Sequence, residues 1–205
     1  MISATAVKEL RELSGAGMMD CKKALQEAEG DIKKAMEVLR KNGIAKAQKK
    51  VGRSASDGVV IPYIHPGSKL GVLLEVNCET DFVARTEGFQ DFCKDVAMHI
   101  AAASPLTVLR EELSEEVVET EKNIFRDQSK KSGKPDEIIE KMIDGRMNKF
   151  YQENVLMEQS FVKNPDLSIS DLLTETIAKL GENISIARFS RYQLGETAPQ
   201  TDSTD

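Results

Sequence analysis

Cys78, Cys93 and His99 are the side chains whose types could ligate a metal or pair a nucleophile with a base. A thiolate and an imidazole held within reach of each other make either a zinc site or an activated cysteine. Their spacing speaks against both: no CxxC pair or HExxH accompanies them, and Cys93 and His99 fall on one amphipathic helical pattern with Cys93 on its apolar side. The cysteines read instead as small buried hydrophobes. The chain also has no GxSxG elbow and no GxxxxGK[ST] phosphate loop. Gly15-Ala16-Gly17 lies between helical patterns rather than after a strand, and it lacks the remaining glycine of a dinucleotide fingerprint. His65, before Pro66 in a loop, has no acid or nucleophile near it in sequence. The expectation is a chain with no metal, no cofactor and no catalysed reaction of its own.

Two other groups suit binding. Met18 and Met19 stand side by side at the start of a helix, and two large flexible side chains there cannot both face one small core, so at least one is expected at the surface. Exposed methionine makes adaptable partner contacts, although core filling is nearly as good a reading on periodicity alone. Glu79-Thr80-Asp81-Phe82-Val83-Ala84-Arg85 falls between a strand and a helix, in a connecting loop, and loops on rigid scaffolds carry function. On physics alone the plainer reading is favoured, with Asp81 a turn residue and Phe82 a core residue. The basic run Lys46, Lys49, Lys50 and Arg53 is short and has no interleaved aromatics for base stacking, so it reads as a solvated linker.

The elements that must position these groups come from periodicity. Three short helical patterns end at Gly15, Gly30 and Gly43. The first carries Val7, Leu10 and Leu13, the second Cys21, Ala24, Leu25 and Ala28, and the third, capped by Asp31, carries Ile32, Ala35, Met36 and Leu39 before Asn42-Gly43 closes it. A break at residues 54–58 places a domain boundary, giving a unit of residues 1–53 and a core of residues 54–195. Val59 to Ile64 and Leu70 to Val76 predict a hairpin, and residues 87–103 a helix burying Phe89, Phe92, Cys93, Val96 and Ile100 until Ser104-Pro105 stops it.

Two long patterns, Ser114 to Ser132 and Pro135 to about Leu156, predict an antiparallel helical hairpin around Gly133-Lys134-Pro135. Its apolar face would hold Val118, Ile124, Phe125, Ile139, Met142, Ile143, Met147 and Phe150. Ser170 is the expected cap of a helix with Leu173, Ile177 and Leu180, closed by Gly181. Residues 183–194 form a last strand whose phase slips at Phe189, where a bulge would fit. The acidic tail 196–205 is expected to be disordered. Three strands and about seven helices make an α+β protein.

Composition narrows the setting. The 205 residues carry a net charge of -6, which argues against coating nucleic acid or an anionic membrane through bulk charge. Three cysteines at irregular spacing are no disulfide framework, and neither a signal peptide nor a membrane-spanning apolar run is visible, so a cytoplasmic location is expected.

Two segments, Leu10-Arg11-Glu12-Leu13-Ser14-Gly15-Ala16-Gly17-Met18-Met19-Asp20-Cys21-Lys22-Lys23-Ala24-Leu25 and Glu75-Val76-Asn77-Cys78-Glu79-Thr80-Asp81-Phe82-Val83-Ala84-Arg85, resemble the two signatures of translation elongation factor Ts, in order and at that family's separation. The resemblance extends through Glu140-Lys141-Met142 and Gly145-Arg146-Met147 to the last strand, over about residues 2 to 195. It implies a guanine-nucleotide exchange factor acting on elongation factor Tu·GDP, and an N-terminal three-helix unit similar to a ubiquitin-associated domain, followed by a core with a three-stranded antiparallel sheet, packed helices and the helical hairpin. It further implies that Arg11, Met18, Met19 and Lys22 dock on the partner, and that Thr80, Asp81, Phe82 and Val83 enter near its Mg²⁺ and phosphates. The chain departs from longer members in carrying one core subdomain, like a short form, which leaves monomer and homodimer both open.

Two other classes compete with this reading. A ubiquitin-associated adaptor would account for residues 1 to 43 and leave Asp81 to Val83 idle, and a thiol or metal enzyme would depend on Cys78, Cys93 and His99.

Overall fold

Helix α1, Ala4–Ser14, starts at Ser3, whose hydroxyl accepts the Ala6 N–H, and ends at Gly15, whose left-handed φ of 65° turns the chain. The protein is represented by a computed structural model that describes residues 2–130 and 135–196. Helix α2 is Met18–Glu27. Helix α3, Ile32–Gln48, starts where the Asp31 carboxylate accepts the Lys34 N–H. That bond holds the Asp31 carboxyl below its usual range. Val7, Leu10, Cys21, Ala24, Leu25, Ala28 and Ala35 are buried together between these three helices.

Three sequence expectations fail here. Leu13 is not core but exposed, and so is Met36, because a three-helix core this small closes over its alanines and leaves the stripe edges in solvent. The third helix does not stop at Asn42-Gly43. Gly43 lies inside it, and a Cβ there would sit 3.2 Å from Ala178 Cβ, so this glycine serves a close approach rather than a helix end.

Strands β1, Asp57–Ile64, and β2, Leu70–Cys78, form the expected hairpin, and His65 N–H donates to Leu70 O at its turn. Strand β5, Ile184–Gln193, completes a three-stranded sheet in the order β1-β2-β5. Leu194 N–H donates to Lys69 O, while Asn183 N–H meets Glu79, so β5 runs antiparallel to β2. On β2 Val72, Leu74, Val76 and Cys78 face inward. On β5 Ile184 and Ile186 are buried, after which the half-buried positions move to Phe189 and Arg191, the slip expected there.

Between β2 and helix α5, Glu87–Ala103, the expected loop contains a one-turn helix, α4, Asp81–Ala84. All five predicted face residues of α5 are buried. Helices α6, Glu115–Lys130, and α7, Asp136–Asn154, form the hairpin. Ile139, Ile143 and Met147 pack with Val118, Phe125, Phe150 and Tyr151, whereas Ile124 is exposed. Residues 133 and 134 of its turn, like residues 197–205 of the tail, lie outside the described residues.

A two-residue strand β3, Ser160–Phe161, pairs antiparallel with β4, Asn164–Ser168, a hairpin the sequence reading missed. Helix α8, Ile169–Leu180, then begins one residue before Ser170, because the buried Ile169 anchors its N–H on Gln159 O. The described residues thus hold five strands and eight α-helices, still an α+β fold.

Contacts divide the chain into two units. One holds Met1–Val59, Val76–Phe92 and Asp171–Ser185, and the other Val60–Glu75, Cys93–Ser170 and Ile186–Asp205.

Candidate functional site

A single helical turn has no stability of its own, since nucleation fixes several residues for one hydrogen bond. Helix α4 is such a turn, and its neighbours hold it. The Thr80 hydroxyl caps it by accepting the Val83 N–H at 3.4 Å, and Thr80 O accepts the Ala84 N–H at 3.3 Å. Ala84 is buried, and Gln90 Nε2 donates to its carbonyl at 2.7 Å. Thr86 then closes α4 by donating its hydroxyl to Val83 O at 2.7 Å while accepting the Phe89 N–H that opens α5.

The turn rests on a second one just beyond α8. Glu182 Oε1 accepts the Thr80 hydroxyl at 2.7 Å, and Oε2 accepts the Thr80 N–H at 3.0 Å. In the reverse direction Glu79 Oε1 accepts the Asn183 N–H at 2.7 Å. Arg53 joins both sides, with its guanidinium 3.6 Å from Glu79 and its carbonyl accepting Asn183 Nδ2 at 2.8 Å. Cys78 completes the base by donating its thiol to Thr80 O at 3.1 Å; burial first and the Glu182 charge second push that thiol up, so it stays protonated.

From this base Phe82 projects with 80% of its surface exposed, against the plainer expectation of a core residue. Asp81 is half-buried and paired with Arg85 Nη2 at 2.8 Å, four residues on. Val83 is half-buried, and Thr80 is engaged at every polar atom.

The other predicted contact residues are all at the surface. Met18 is 48% and Met19 64% exposed, so both methionines are at the surface, where at least one was expected. Arg11 and Lys22 are exposed on α1 and α2. The N-cap of α2 is Gly17, which supplies no side-chain bond. Behind this edge, Lys46 pairs with Asp20 at 2.8 Å. An open cavity of about 730 Å³ lies between α2, α3 and α8, lined in part by Asp20, Lys23, Arg40 and Glu175. Burial pushes the Glu175 carboxyl up, and Arg40 opposes it.

The groups that suggested enzymology are dispersed or satisfied. All three cysteines are buried. His99 is fully buried in the second unit, where Nδ1 accepts the Val162 N–H at 3.3 Å, which makes Nε2 the donor to Gln159 Oε1 at 2.9 Å. Burial pushes its pKa down, and it stays neutral. Among the described residues no cluster of histidine, cysteine, aspartate or glutamate could hold a metal, and no helix is long and apolar enough to cross a membrane.

Sequence reasoning missed Glu182, Asn183 and Arg53. The bonds of Glu182 and Asn183 to Thr80, Glu79 and the Arg53 carbonyl each span more than a hundred positions of chain, so no local pattern marks them.

The profile of the family described as Elongation factor TS matches residues 2–196. The Elongation factor Ts of Geotalea daltonii is 59% identical over 202 residues, covering 98% of this chain and 94% of its own. That of Carboxydothermus hydrogenoformans is 58% identical, covering 96% and 90%. That of Thermosipho melanesiensis is 56% identical, covering 96% and 100%.

Proposed function

The chain belongs to the elongation factor Ts family, and from that premise we propose that it is a guanine-nucleotide exchange factor that binds elongation factor Tu·GDP and speeds release of the diphosphate. The observation that carries this reading is Phe82, an aromatic ring left in solvent on a turn otherwise fixed on every side. A ring costs free energy in water and gains it in an apolar crevice. Inserted between the partner's helices near its Mg²⁺ and phosphates, it displaces groups around a metal whose octahedral shell tolerates little displacement.

Asp81 adds negative charge near that shell, which it can do only by letting go of Arg85. The pair is exposed on the arginine side, so parting it costs little. Residues 1–53 supply docking through Arg11, Met18, Met19 and Lys22, Val83 borders the wedge, and the hairpin binds a separate partner domain. Because binding free energies are reciprocal, the factor that weakens nucleotide binding is itself weakened by nucleotide, so incoming GTP releases it. The chain performs no covalent step, needs no cofactor and works in the cytoplasm.

Stopped-flow release of a fluorescent GDP from elongation factor Tu tests this reading. Acceleration by catalytic amounts of the chain is expected. No acceleration at saturating concentration would overturn it.

A second copy of the chain is also a fitting partner. Val60, Ile64 and Leu73 are exposed on one face of β1 and β2, Ile64 lying against the Cα side of Gly71. Soluble monomers seldom leave such a strip uncovered. Light scattering should give a dimer that Ile64→Asp with Leu73→Asp converts to a monomer; a monomeric parent chain overturns this reading.

A further inference from the structure

The direction of Phe82 is not set by the ring itself, which is 80% exposed. It is inherited from the backbone of α4, a four-residue turn whose first polar partner is Thr80. Thr80 in turn hangs on one carboxylate, since Glu182 accepts both its N–H and its hydroxyl. The hydroxyl that donates to Glu182 is the same oxygen that accepts the Val83 N–H, and donating to a carboxylate makes that oxygen the better acceptor. We propose that Glu182 is a positioning residue for nucleotide exchange, bracing the first turn of α4 through Thr80 so that Phe82 projects in one fixed direction.

This rests on the reading that Phe82 drives the exchange step. Glu182 is well placed for the task because Gly181, with φ at 80°, turns the chain out of α8 immediately before it. Asn183 is tied at once to Glu79 and to the Arg53 carbonyl, so the carboxylate itself stands on a fixed base. Charge-assisted bonds of this kind are the stronger class, and a hinge relying on one of them loosens when it goes. A loosened turn still carries the ring, so the factor still binds. What it loses is the fraction of time in which the ring points where release requires it.

The test uses full-length Glu182→Ala, Glu182→Gln, Thr80→Val, Thr80→Ser and Phe82→Ala in stopped-flow release of fluorescent GDP from elongation factor Tu, titrated to saturation. Glu182→Ala and Thr80→Val should lower the maximal release rate about fivefold while the half-saturating concentration stays within about twofold. Glu182→Gln keeps one acceptor and should fall between, and Thr80→Ser keeps the hydroxyl and should restore the rate. On a Phe82→Ala background, Glu182→Ala should cost nothing further, because there is no ring left to aim.

Normal maximal rates for both Glu182→Ala and Thr80→Val beside a slow Phe82→Ala would overturn the role of Glu182 alone. A normal rate for Phe82→Ala would overturn the wedge and this role with it. Additive losses in the double variant would show that Glu182 acts by another route, which also overturns the proposal. If Glu182→Ala melts below the assay temperature, the contrast between Thr80→Val and Thr80→Ser decides, with equal rates counting against the brace.

Discussion

Phe82 and the Met18–Met19 pair both turn apolar surface to solvent, but they are held in opposite ways. Phe82 rides on a turn whose polar atoms are engaged by Val83, Ala84, Glu182 and Cys78. The methionines stand at the first turn of α2, where Gly17 offers no side-chain cap and the side chains themselves have three rotatable bonds each. One apolar group is aimed and the other is adaptable. An aimed ring suits a single displacement at one place, which is a rate effect, while adaptable methionines suit a surface that must be gripped tightly enough and then released, which is an affinity effect.

Phe82→Ala should break this contrast most visibly. Removing about 2 kcal/mol of selective barrier lowering slows maximal GDP release roughly thirtyfold, with melting temperature unchanged because the ring is in solvent. A normal rate at saturation with weaker binding would instead make Phe82 an anchor like the methionines. Next in size, Met18→Ala with Met19→Ala should weaken half-saturation about tenfold, or ~1.4 kcal/mol, at an unchanged maximal rate. Two surface changes should move stability by only about 0.5 kcal/mol each. A loss of about 2 to 5 kcal/mol in urea unfolding would mean that a methionine fills the core.

Asp81→Asn sharpens the comparison on the aimed side. It should slow release about threefold, and the deficit should shrink when Mg²⁺ is chelated. Arg85→Ala, which frees Asp81, should leave the rate equal or slightly faster; a rate loss as large as that of Asp81→Asn would make the pair itself the functional unit.

Acid gives the smallest effect. The chain has two histidines, and neither belongs to the aimed turn or the methionine edge. Burial depresses the folded pKa of His99 below the ordinary value near 6.5, so the unfolded chain takes up the proton first. Stability is therefore full above about pH 6.5 and declines as pH falls toward the depressed folded value. Urea unfolding at pH 7.5 and 6 should show a small loss at the lower pH, and a flat response would show that His99 protonates in the folded state without penalty.

Much of this was legible where side chains repeat. The period of Phe89, Phe92, Cys93, Val96 and Ile100 is a helix face in any context, and all five are buried. Asn42-Gly43 misled because the same dipeptide that ends a free helix also permits a close contact, here with Ala178, and only the fold tells which is in force. The β3–β4 hairpin escaped because two residues have no period, and Pro165 argues against a strand. At the site, the Thr80 to Val83 segment was visible as acidic plus aromatic, but its helical turn and exposed ring were not. Four residues carry no periodic signal, and the decisive brace comes from elsewhere in the chain.

That distance has a consequence in time. Thr80 and Glu182 are 102 positions apart. At about 5 to 20 residues per second, a ribosome needs roughly 5 to 20 s to go from one to the other. Throughout that interval a growing chain can carry Phe82 without the carboxylate that aims it, so a product of this gene that ends after Phe82 and before Glu182 has the ring and lacks its direction.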